Sequence, residues 1–295
     1  MHLEFSGPLF EWRGPAPYHF VAVPEDEAEQ IQETAAAVTY GWGMIPVRGR
    51  IGDTDFTTSL WPRDGGYVVP VKDAVRKPEG LSFSQAAGYP VAYLTAYVGL
   101  VRCGRVQPGE WVLVHGAAGG VGLAAVDLAR LLGAKVIAAS ASDAKLAIVE
   151  REYRPDAIVN VTGGFREQVK AVTGGKGADV IYDPVGGDVF DESLRCIAFG
   201  GRILSIGFTS GRLPVLPVNI ALIKGFSVHG VRAGEYGRQN PEKGRENNAA
   251  IWKLAEEGRV KPRVDAEYPL SGWREAFETL AQRKVVGKTV IRPDL

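Results

Sequence analysis

Hydrophobic positions follow two different patterns along this chain of 295 residues. Before about residue 80, short apolar runs alternate with polar positions and are separated by Gly, Pro and Asp, which is typical of strands joined by turns. Strands are expected at 3–5, 18–23, 44–47, 54–57 and 65–71, a helix at 25–38, and a charged helix from about Lys72. This pattern predicts a small β-rich, barrel-like domain.

After about residue 80, buried strand-like runs alternate with helical periodicity. Ser82 or Ser84 is expected to cap a helix that reaches Gly104. The alternation predicts an α/β fold, a doubly wound parallel (Rossmann) sheet. Its strands are expected at 112–114, 136–139, 157–159, 179–182, 203–206 and 226–230. We therefore predict a first domain at 1–80, a dinucleotide-binding domain at 81–265, and a segment, 266–295, that returns toward the first domain.

A small-residue stretch follows the first of these buried strands and precedes a helix. Strand, tight turn and helix in that order place free helix amides where a pyrophosphate can bind. The pattern G-x-G-x-x-G is matched except at its first position, where alanine stands. The cofactor-binding residues predicted here are Ala117, Ala118, Gly119, Gly120, Val121 and Gly122. The alternative is a glycine-rich turn without a ligand.

The end of the second strand indicates which dinucleotide binds. A site selective for NAD usually places a carboxylate about 20 residues beyond the glycine loop, to hold the ribose hydroxyls. This chain has Ser140 and Ser142 there, followed by Lys145, and these groups can bind the 2′-phosphate of NADPH. Asp143 is expected to cap the following helix. The alternative for Lys145 is an ordinary solvated lysine.

Charge and cysteine content exclude several classes of function. The net charge is zero, and no basic cluster is interleaved with aromatic residues, so we expect no nucleic-acid partner. The two parts differ, because residues 1–80 carry 7 basic and 12 acidic side chains, a net of −5, whereas the remainder carries a net of +5. Two distant cysteines exclude a disulfide framework, and no stretch is apolar enough to span a membrane. A cytoplasmic protein is expected.

The first domain offers few candidates for chemistry. Trp42 and Trp61 could form a binding surface, but large aromatic residues in a small barrel are more often core. Asp53 and Asp55 could be a metal or acid–base pair, although a hairpin turn explains them as well. No metal site is predicted anywhere in the chain. The catalytic residues cannot be assigned from the sequence.

Two family resemblances follow from separate motifs. Residues 90–97 (PVAYLTAY), 117–122 (AAGGVG), 182–187 (YDPVGG), 200–202 (GGR), 206–208 (IGF) and 287–291 (GKTVI) occur in the order typical of one family. Because of these motifs, residues 78–295 resemble the zinc-independent quinone oxidoreductase branch of the medium-chain dehydrogenase/reductase superfamily. Residues 1–80 resemble the DUF1905 domains, on Trp12 with Gly14 and on the runs 20–24, 41–43, 57–62 and 67–72.

The resemblance implies a function and further site residues. Members of this branch transfer hydride from NADPH to a quinone or an activated enone without zinc. Lys145 matches their phosphate-binding lysine, Gly207 and Phe208 match the strand end along the nicotinamide, and Thr95 matches a position near its ring. Val161 departs from the family, which commonly has an aromatic residue over the adenine. Relatives pair through the strand at 226–230, so a homodimer is expected.

The architecture departs from the family at one point. A member begins with a substrate domain of well over a hundred residues, and here a segment of another family stands in its place. The expected function is an NADPH-dependent quinone or enone reductase acting on a small-molecule substrate. The alternative is a non-catalytic NADP(H)-binding or sensing protein, because the usual substrate domain is replaced. A fusion without a selected function is a third reading.

Overall fold

The computed structural model describes residues 2–5, 9–13, 17–39, 43–51, 54–70 and 81–293. The chain divides into two compact units, Met1–Gly80 and Leu81–Leu295. The first unit contains strands β1 to β5 and helix α1. Their bounds are Leu9–Arg13 (β1), Pro17–Ala22 (β2), Glu25–Val38 (α1), Ile45–Ile51 (β3), Thr54–Arg63 (β4) and Gly66–Pro70 (β5).

The first unit is built on an antiparallel sheet with the strand order β1-β2-β5-β4-β3. Helix α1 has Glu25, Asp26 and Glu27 in its first turn, where negative side chains interact favourably with the positive end of the helix dipole. Its Ala28 and Ile31 join a buried cluster with residues of the sheet. The β-rich character predicted for this unit is therefore confirmed. The prediction of a strand at 3–5 was wrong. Strand β1 was not predicted, because its alternation of apolar and polar residues is short.

Several candidates from the first unit lie outside the described residues. These are Gly14, Trp42, Asp53, the helix expected from Lys72, and the side chains of Trp12 and Asp55. Trp61 is described, and its ring centroid lies 5.5 Å from that of the buried Phe20. This contact favours the core interpretation of Trp61 over a binding surface.

The second unit alternates strands and helices from end to end. Helix α2 (Phe83–Tyr97) continues into a π-helical stretch (Val98–Cys103). The central elements are β6 (Trp111–Val114), α3 (Gly120–Leu131), β7 (Lys135–Ser140), α4 (Asp143–Tyr153), β8 (Ala157–Asn160), α5 (Arg166–Val172), β9 (Ala178–Asp183), α6 (Gly187–Cys196), β10 (Ile197–Ser205), α7 (Val218–Lys224) and β11 (Ser227–Gly230). The last are α8 (Ala233–Gln239), α9 (Pro241–Glu256), β12 (Val264–Pro269), a 3-10 turn (Leu270–Gly272), α10 (Trp273–Ala281) and β13 (Lys288–Arg292).

Six strands of the second unit form one parallel sheet, in the order β11-β10-β9-β6-β7-β8. Adjacent positions of β6 face opposite cores, because Val112 and Val114 belong to one buried cluster and Leu113 to the other. The predicted doubly wound sheet is therefore confirmed. Strand order reverses between β6 and β9, and ligands of such sheets bind outside the carboxyl ends of the strands at this switch point.

The remaining elements complete the second unit. Ser82 caps α2, because its Oγ accepts from the Gln85 amide at 3.2 Å while the Gln85 side chain accepts from the Ser82 amide at 3.0 Å. Strands β12 and β13 form a separate parallel pair. Their expected return toward the first domain stays a prediction. Within the part of the chain that the structure describes, no helix has the length and apolar character needed to cross a membrane.

Candidate functional site

The glycine turn after β6 explains why an alanine is tolerated at its first motif position. Gly116, one residue earlier, has a φ of +56°, a conformation that favours glycine. Ala117 is fully buried and does not share this conformation. At Gly122, an added Cβ would lie 2.1 Å from the Gly116 carbonyl oxygen, so only glycine fits there. The turn thus needs glycine at 116 and 122.

Helix α3 begins at this turn with free amides. Its N-cap is Gly119, which has no side chain to bond them, and the first intrahelical bond runs from the Leu123 amide to the Gly119 carbonyl at 2.8 Å. The amides of Gly120, Val121 and Gly122 therefore lack intrahelical acceptors. Gly119 itself is exposed. The arrangement can accept an anion such as a phosphate.

Three loops meet at the switch point. The His115 amide donates to the Tyr182 carbonyl at 3.0 Å, and the Ile206 amide donates to the Asp183 carbonyl at 2.8 Å. The Asp183 carboxylate accepts from the amides of Val185 and Gly186, at 2.8 and 2.9 Å. Burial raises the pKa of this carboxyl, against the effect of those two amides. Asp183 therefore shapes the loop through its Oδ1.

The residues expected near the nicotinamide lie at the end of β10 and on α2. Phe208 packs on Gly186, where an added Cβ would meet its ring at 3.0 Å, and the Phe208 side chain is 45% exposed. Thr95 donates to the Val91 carbonyl at 2.7 Å. Among the described residues, no hydrogen bond joins Thr95 to Gly207 or Phe208. The π-helical stretch that continues α2 approaches this loop, because an added Cβ at Gly99, four residues beyond Thr95, would lie 3.5 Å from Ile206.

The residues expected at the ribose lie together at the end of β7. Ser140 ends the strand, and the Ala117 amide donates to the Ala139 carbonyl at 3.0 Å, which joins this end to the glycine turn. The expected cap Asp143 was wrong. Ser142 is the N-cap of α4 and accepts from the Lys145 amide at 3.4 Å, because Ser142 precedes the first helical residue. Asp143 instead accepts from Asn160 at 2.6 Å.

The Lys145 side chain contacts a segment that the sequence did not connect with it. Its ammonium donates to the carbonyls of Arg283 and Val285, the latter at 3.0 Å. Partial burial lowers the pKa of Lys145; Asp265 opposes this shift, and the nearby Arg283 guanidinium adds to it. Arg283 has a φ of +54°, rare for a residue with a side chain. Lys145 and Arg283 are thus two cations in the same region, at the end of β7.

A third cation lies over the start of α3. Gly287 forms a bridge with Gly119, and its amide donates to the Ala118 carbonyl at 2.8 Å. An added Cβ at Gly120 would lie 2.7 Å from Cε of Lys288, which places that aliphatic chain directly on the first turn. Sequence reasoning missed Arg283 and Lys288. Their only signal was the basic character of residues 283–288, which carries no information about long-range contacts.

The described residues hold no cluster of three or more His, Cys, Asp or Glu side chains placed to bind a metal ion. The arrangement offers helix amides, three cations and a half-buried aromatic ring along the carboxyl edge of a parallel sheet. Such a fold and site define a dinucleotide-binding protein of the doubly wound class.

Comparison with known proteins identifies the family within this class. The zinc-binding dehydrogenase family matches residues 120–248, and a domain of unknown function, DUF1905, matches residues 5–87. The quinone oxidoreductase-like protein 2 homolog of Nematostella vectensis is 42% identical over 226 residues, which are 76% of this chain and 62% of that protein. The chain thus spans less than two thirds of this relative's length.

Solved structures of quinone oxidoreductases are also similar to this chain. The quinone oxidoreductase of Pseudomonas syringae is 28% identical with a TM-score of 0.66, over 77% of this chain and 68% of that one. The Escherichia coli quinone oxidoreductase, determined in complex with NADPH, is 30% identical with a TM-score of 0.66 over the same shares. The chain belongs to the quinone oxidoreductase branch of the medium-chain dehydrogenase/reductase superfamily, as the motifs predicted.

Proposed function

We propose that this protein is a zinc-independent oxidoreductase that transfers hydride from NADPH to a quinone or an activated enone. The observation that carries the proposal is the glycine turn at the switch point, whose uncapped helix faces the site while Lys145 and Arg283 lie at its ribose end. Membership of the quinone oxidoreductase branch supports the same reaction. The nicotinamide supplies the hydride, and the protein binds and orients the reactants.

The pyrophosphate is assigned to the first turn of α3. The amides of Gly120 and Val121 are free to donate, and Ala117, Ala118, Gly119 and Gly122 shape the backbone so that it can approach. The Lys288 ammonium has no hydrogen-bond partner among the described side chains and carbonyls, and its stem lies on Gly120. A cation beside a helix N-terminus adds to the attraction for an anion.

The 2′-phosphate is assigned to the cation pair at the end of β7. Lys145 and Arg283 repel each other, and an anion between them would relieve that repulsion. Ser140 and Ser142 supply hydroxyls at the same strand end, where an NAD-selective protein would place a carboxylate. These four residues favour NADPH over NADH.

The nicotinamide is assigned to the loops after β9 and β10. Gly207 leaves room beside the ring and Phe208 offers an exposed aromatic wall. Thr95, on α2, is proposed as a third contact of the ring. Asp183 is the one carboxyl in these described loops, and its Oδ1 is used to hold the backbone of the loop. The proton that completes the reduction would come from solvent.

The test is NADPH oxidation, followed at its absorbance maximum, with a panel of quinones and enones. The expected result is turnover by the wild-type chain and its loss in Gly119→Val, since a side chain there obstructs the phosphate. An added Cβ at 119 meets no atom closer than 3.3 Å, so the fold should tolerate it. Gly234→Val is the matched control, because its Cβ meets nothing nearer than 4.0 Å on an exposed helix. Absence of turnover in folded wild-type protein would refute the enzymatic proposal.

A second candidate is a non-catalytic NADP(H)-binding or sensing protein. It is favoured by the DUF1905 match at residues 5–87, which precedes the dinucleotide-binding unit. Calorimetry separates the two candidates. NADPH binding without turnover on any acceptor supports the sensor, whereas absence of binding refutes both.

We further propose a homodimer formed through the edge of the parallel sheet. Among the strands of the described residues, β11 pairs with β10 alone, so its other edge can pair with a second copy. The neighbouring surface is strongly apolar, with Phe199 83%, Leu222 82% and Ile223 73% exposed. An open strand edge beside such a patch is typical of a two-fold interface.

The proposed compartment is the cytoplasm, which the free thiols of Cys103 and Cys196 favour.

A further inference from the structure

His115 is a buried histidine beside the glycine turn that the proposed reaction does not use. It follows the last residue of β6, and its side chain is 1% exposed. Its Nε2 lies 2.9 Å from Oγ of Ser193, which belongs to α6. The ring also meets the Phe165 ring edge-on, with centroids 4.9 Å apart. The side chain therefore connects the turn with the helix that begins after the loop at 183–187.

The hydrogen-bond pattern fixes the tautomer of this ring. Ser193 Oγ donates to the Val189 carbonyl at 2.7 Å, so its only proton is already used. Oγ must then accept from His115, which places the imidazole proton on Nε2 and leaves Nδ1 unprotonated. Nδ1 has no partner among the described residues. Burial lowers the pKa of His115 to about 3, so the ring is neutral at physiological pH.

The backbone of His115 makes a second connection, to β9, the strand that leads into the loop before α6. Its amide donates to the Tyr182 carbonyl at 3.0 Å, which extends the pairing of β6 with β9 across the switch point. The next residue, Gly116, lies against Pro184 and Val185. Backbone and side chain thus hold the turn that carries the pyrophosphate in fixed register with the loop that carries the nicotinamide.

We infer that His115 is a positioning residue, whose Nε2 hydrogen bond to Ser193 sets the spacing between the pyrophosphate and nicotinamide ends of the cofactor site. This inference rests on the proposed binding of NADPH. It assigns no proton transfer to the ring. The hydrogen bond should matter for cofactor affinity, because a turn displaced by a fraction of an ångström presents its amides poorly to a phosphate.

The test compares three replacements of His115 that differ in where they place a donor. Gln can place an amide N–H near the Nε2 position, Asn reaches only the Nδ1 position, and Leu has no donor. We expect His115→Leu and His115→Asn to raise the dissociation constant for NADPH about fivefold, the effect of one lost buried hydrogen bond. His115→Gln should keep it within about twofold. Calorimetry with NADPH measures the dissociation constant of each variant.

Ser193→Ala, on α6, removes the acceptor of the same hydrogen bond. It should weaken NADPH binding as His115→Leu does, and the double variant should be no weaker than either single one, because the two side chains act as a unit. Unfolding midpoints are measured alongside. Lower midpoints with unchanged NADPH affinity, or equal loss of affinity in the Gln and Leu variants, would overturn the positioning role. Wild-type protein that binds no NADPH would refute the proposed function, and this role with it.

Discussion

The Lys145 ammonium donates to the main-chain carbonyl of Arg283, a residue 138 positions later in the chain. This contact brings the end of β7 together with the loop between α10 and β13. It places the two cations at the ribose end of the candidate site. The proposed 2′-phosphate site is thus shared by distant parts of the second unit.

Removing either cation should reduce selectivity for NADPH. We expect Lys145→Ala and Arg283→Ala each to raise the dissociation constant for NADPH about tenfold, since each removes a charge-assisted hydrogen bond. The constant for NADH should change by less than about twofold. Calorimetry with both dinucleotides measures this, with Lys284→Ala as the control for an exposed neighbouring charge. Equal losses for NADH and NADPH would contradict the assignment.

Glycine at 122 is required by close packing. We expect Gly122→Ala to lower the free energy of unfolding by about 3 kcal/mol, because its methyl group would overlap the Gly116 carbonyl, which lies 2.1 Å away. Gly119→Ala is the matched control, since its methyl group would lie 3.3 Å from the same oxygen. Urea unfolding of both variants tests this. Similar midpoints for the two would show that the turn adapts.

Asp127 should make stability depend on pH. Its carboxylate is buried and accepts from the Tyr93 hydroxyl at 2.6 Å and the Lys261 amide at 2.7 Å. Burial raises the pKa of this carboxyl above its ordinary value of 3.8, against the opposing effect of those two bonds and of nearby cations. The native state then holds the proton more tightly than the unfolded chain. The stabilisation is complete below pH 3.8 and is lost as the pH rises through the native pKa.

Asp127→Asn removes that titration. We expect its unfolding midpoint to rise relative to the wild type as the pH increases through the native pKa of Asp127, and then to stay at a constant offset. Thermal unfolding at a series of pH values measures the difference. Asp188→Asn, at a side chain that is 99% exposed, is the control for loss of a carboxylate alone. Parallel curves for Asp127→Asn and the wild type would disprove the prediction.

The proposed dimer makes one exposed leucine critical. We expect Leu222→Glu, beside the open edge of β11, to convert the dimer to a monomer, because a buried charge is costly at an apolar interface. Light scattering after gel filtration gives the mass. Leu270→Glu, at a leucine that is 61% exposed on another element, should leave the mass unchanged. Monomeric wild-type protein would refute the interface.

The sequence by itself determined the order of elements and the location of the glycine turn. Strand, turn and helix are local patterns, so the stretch at 112–123 was interpretable without a structure, and so was the sheet that follows. Local rules failed where two neighbouring residues could fill one role. Ser142 caps α4 in place of Asp143, and the left-handed position falls on Gly116, one residue before the motif.

Only the tertiary structure decided which distant residues meet the turn. The segment after α10 folds back, which brings Arg283 to Lys145 and Lys288 to the glycine turn, and Ser193 reaches His115 because α6 packs on the sheet. None of these contacts leaves a periodic signal in the sequence, since each depends on how elements separated by about 80 residues or more pack in space. The glycine turn and Lys145 were therefore predictable, whereas Arg283, Lys288 and the hydrogen bond between His115 and Ser193 were not.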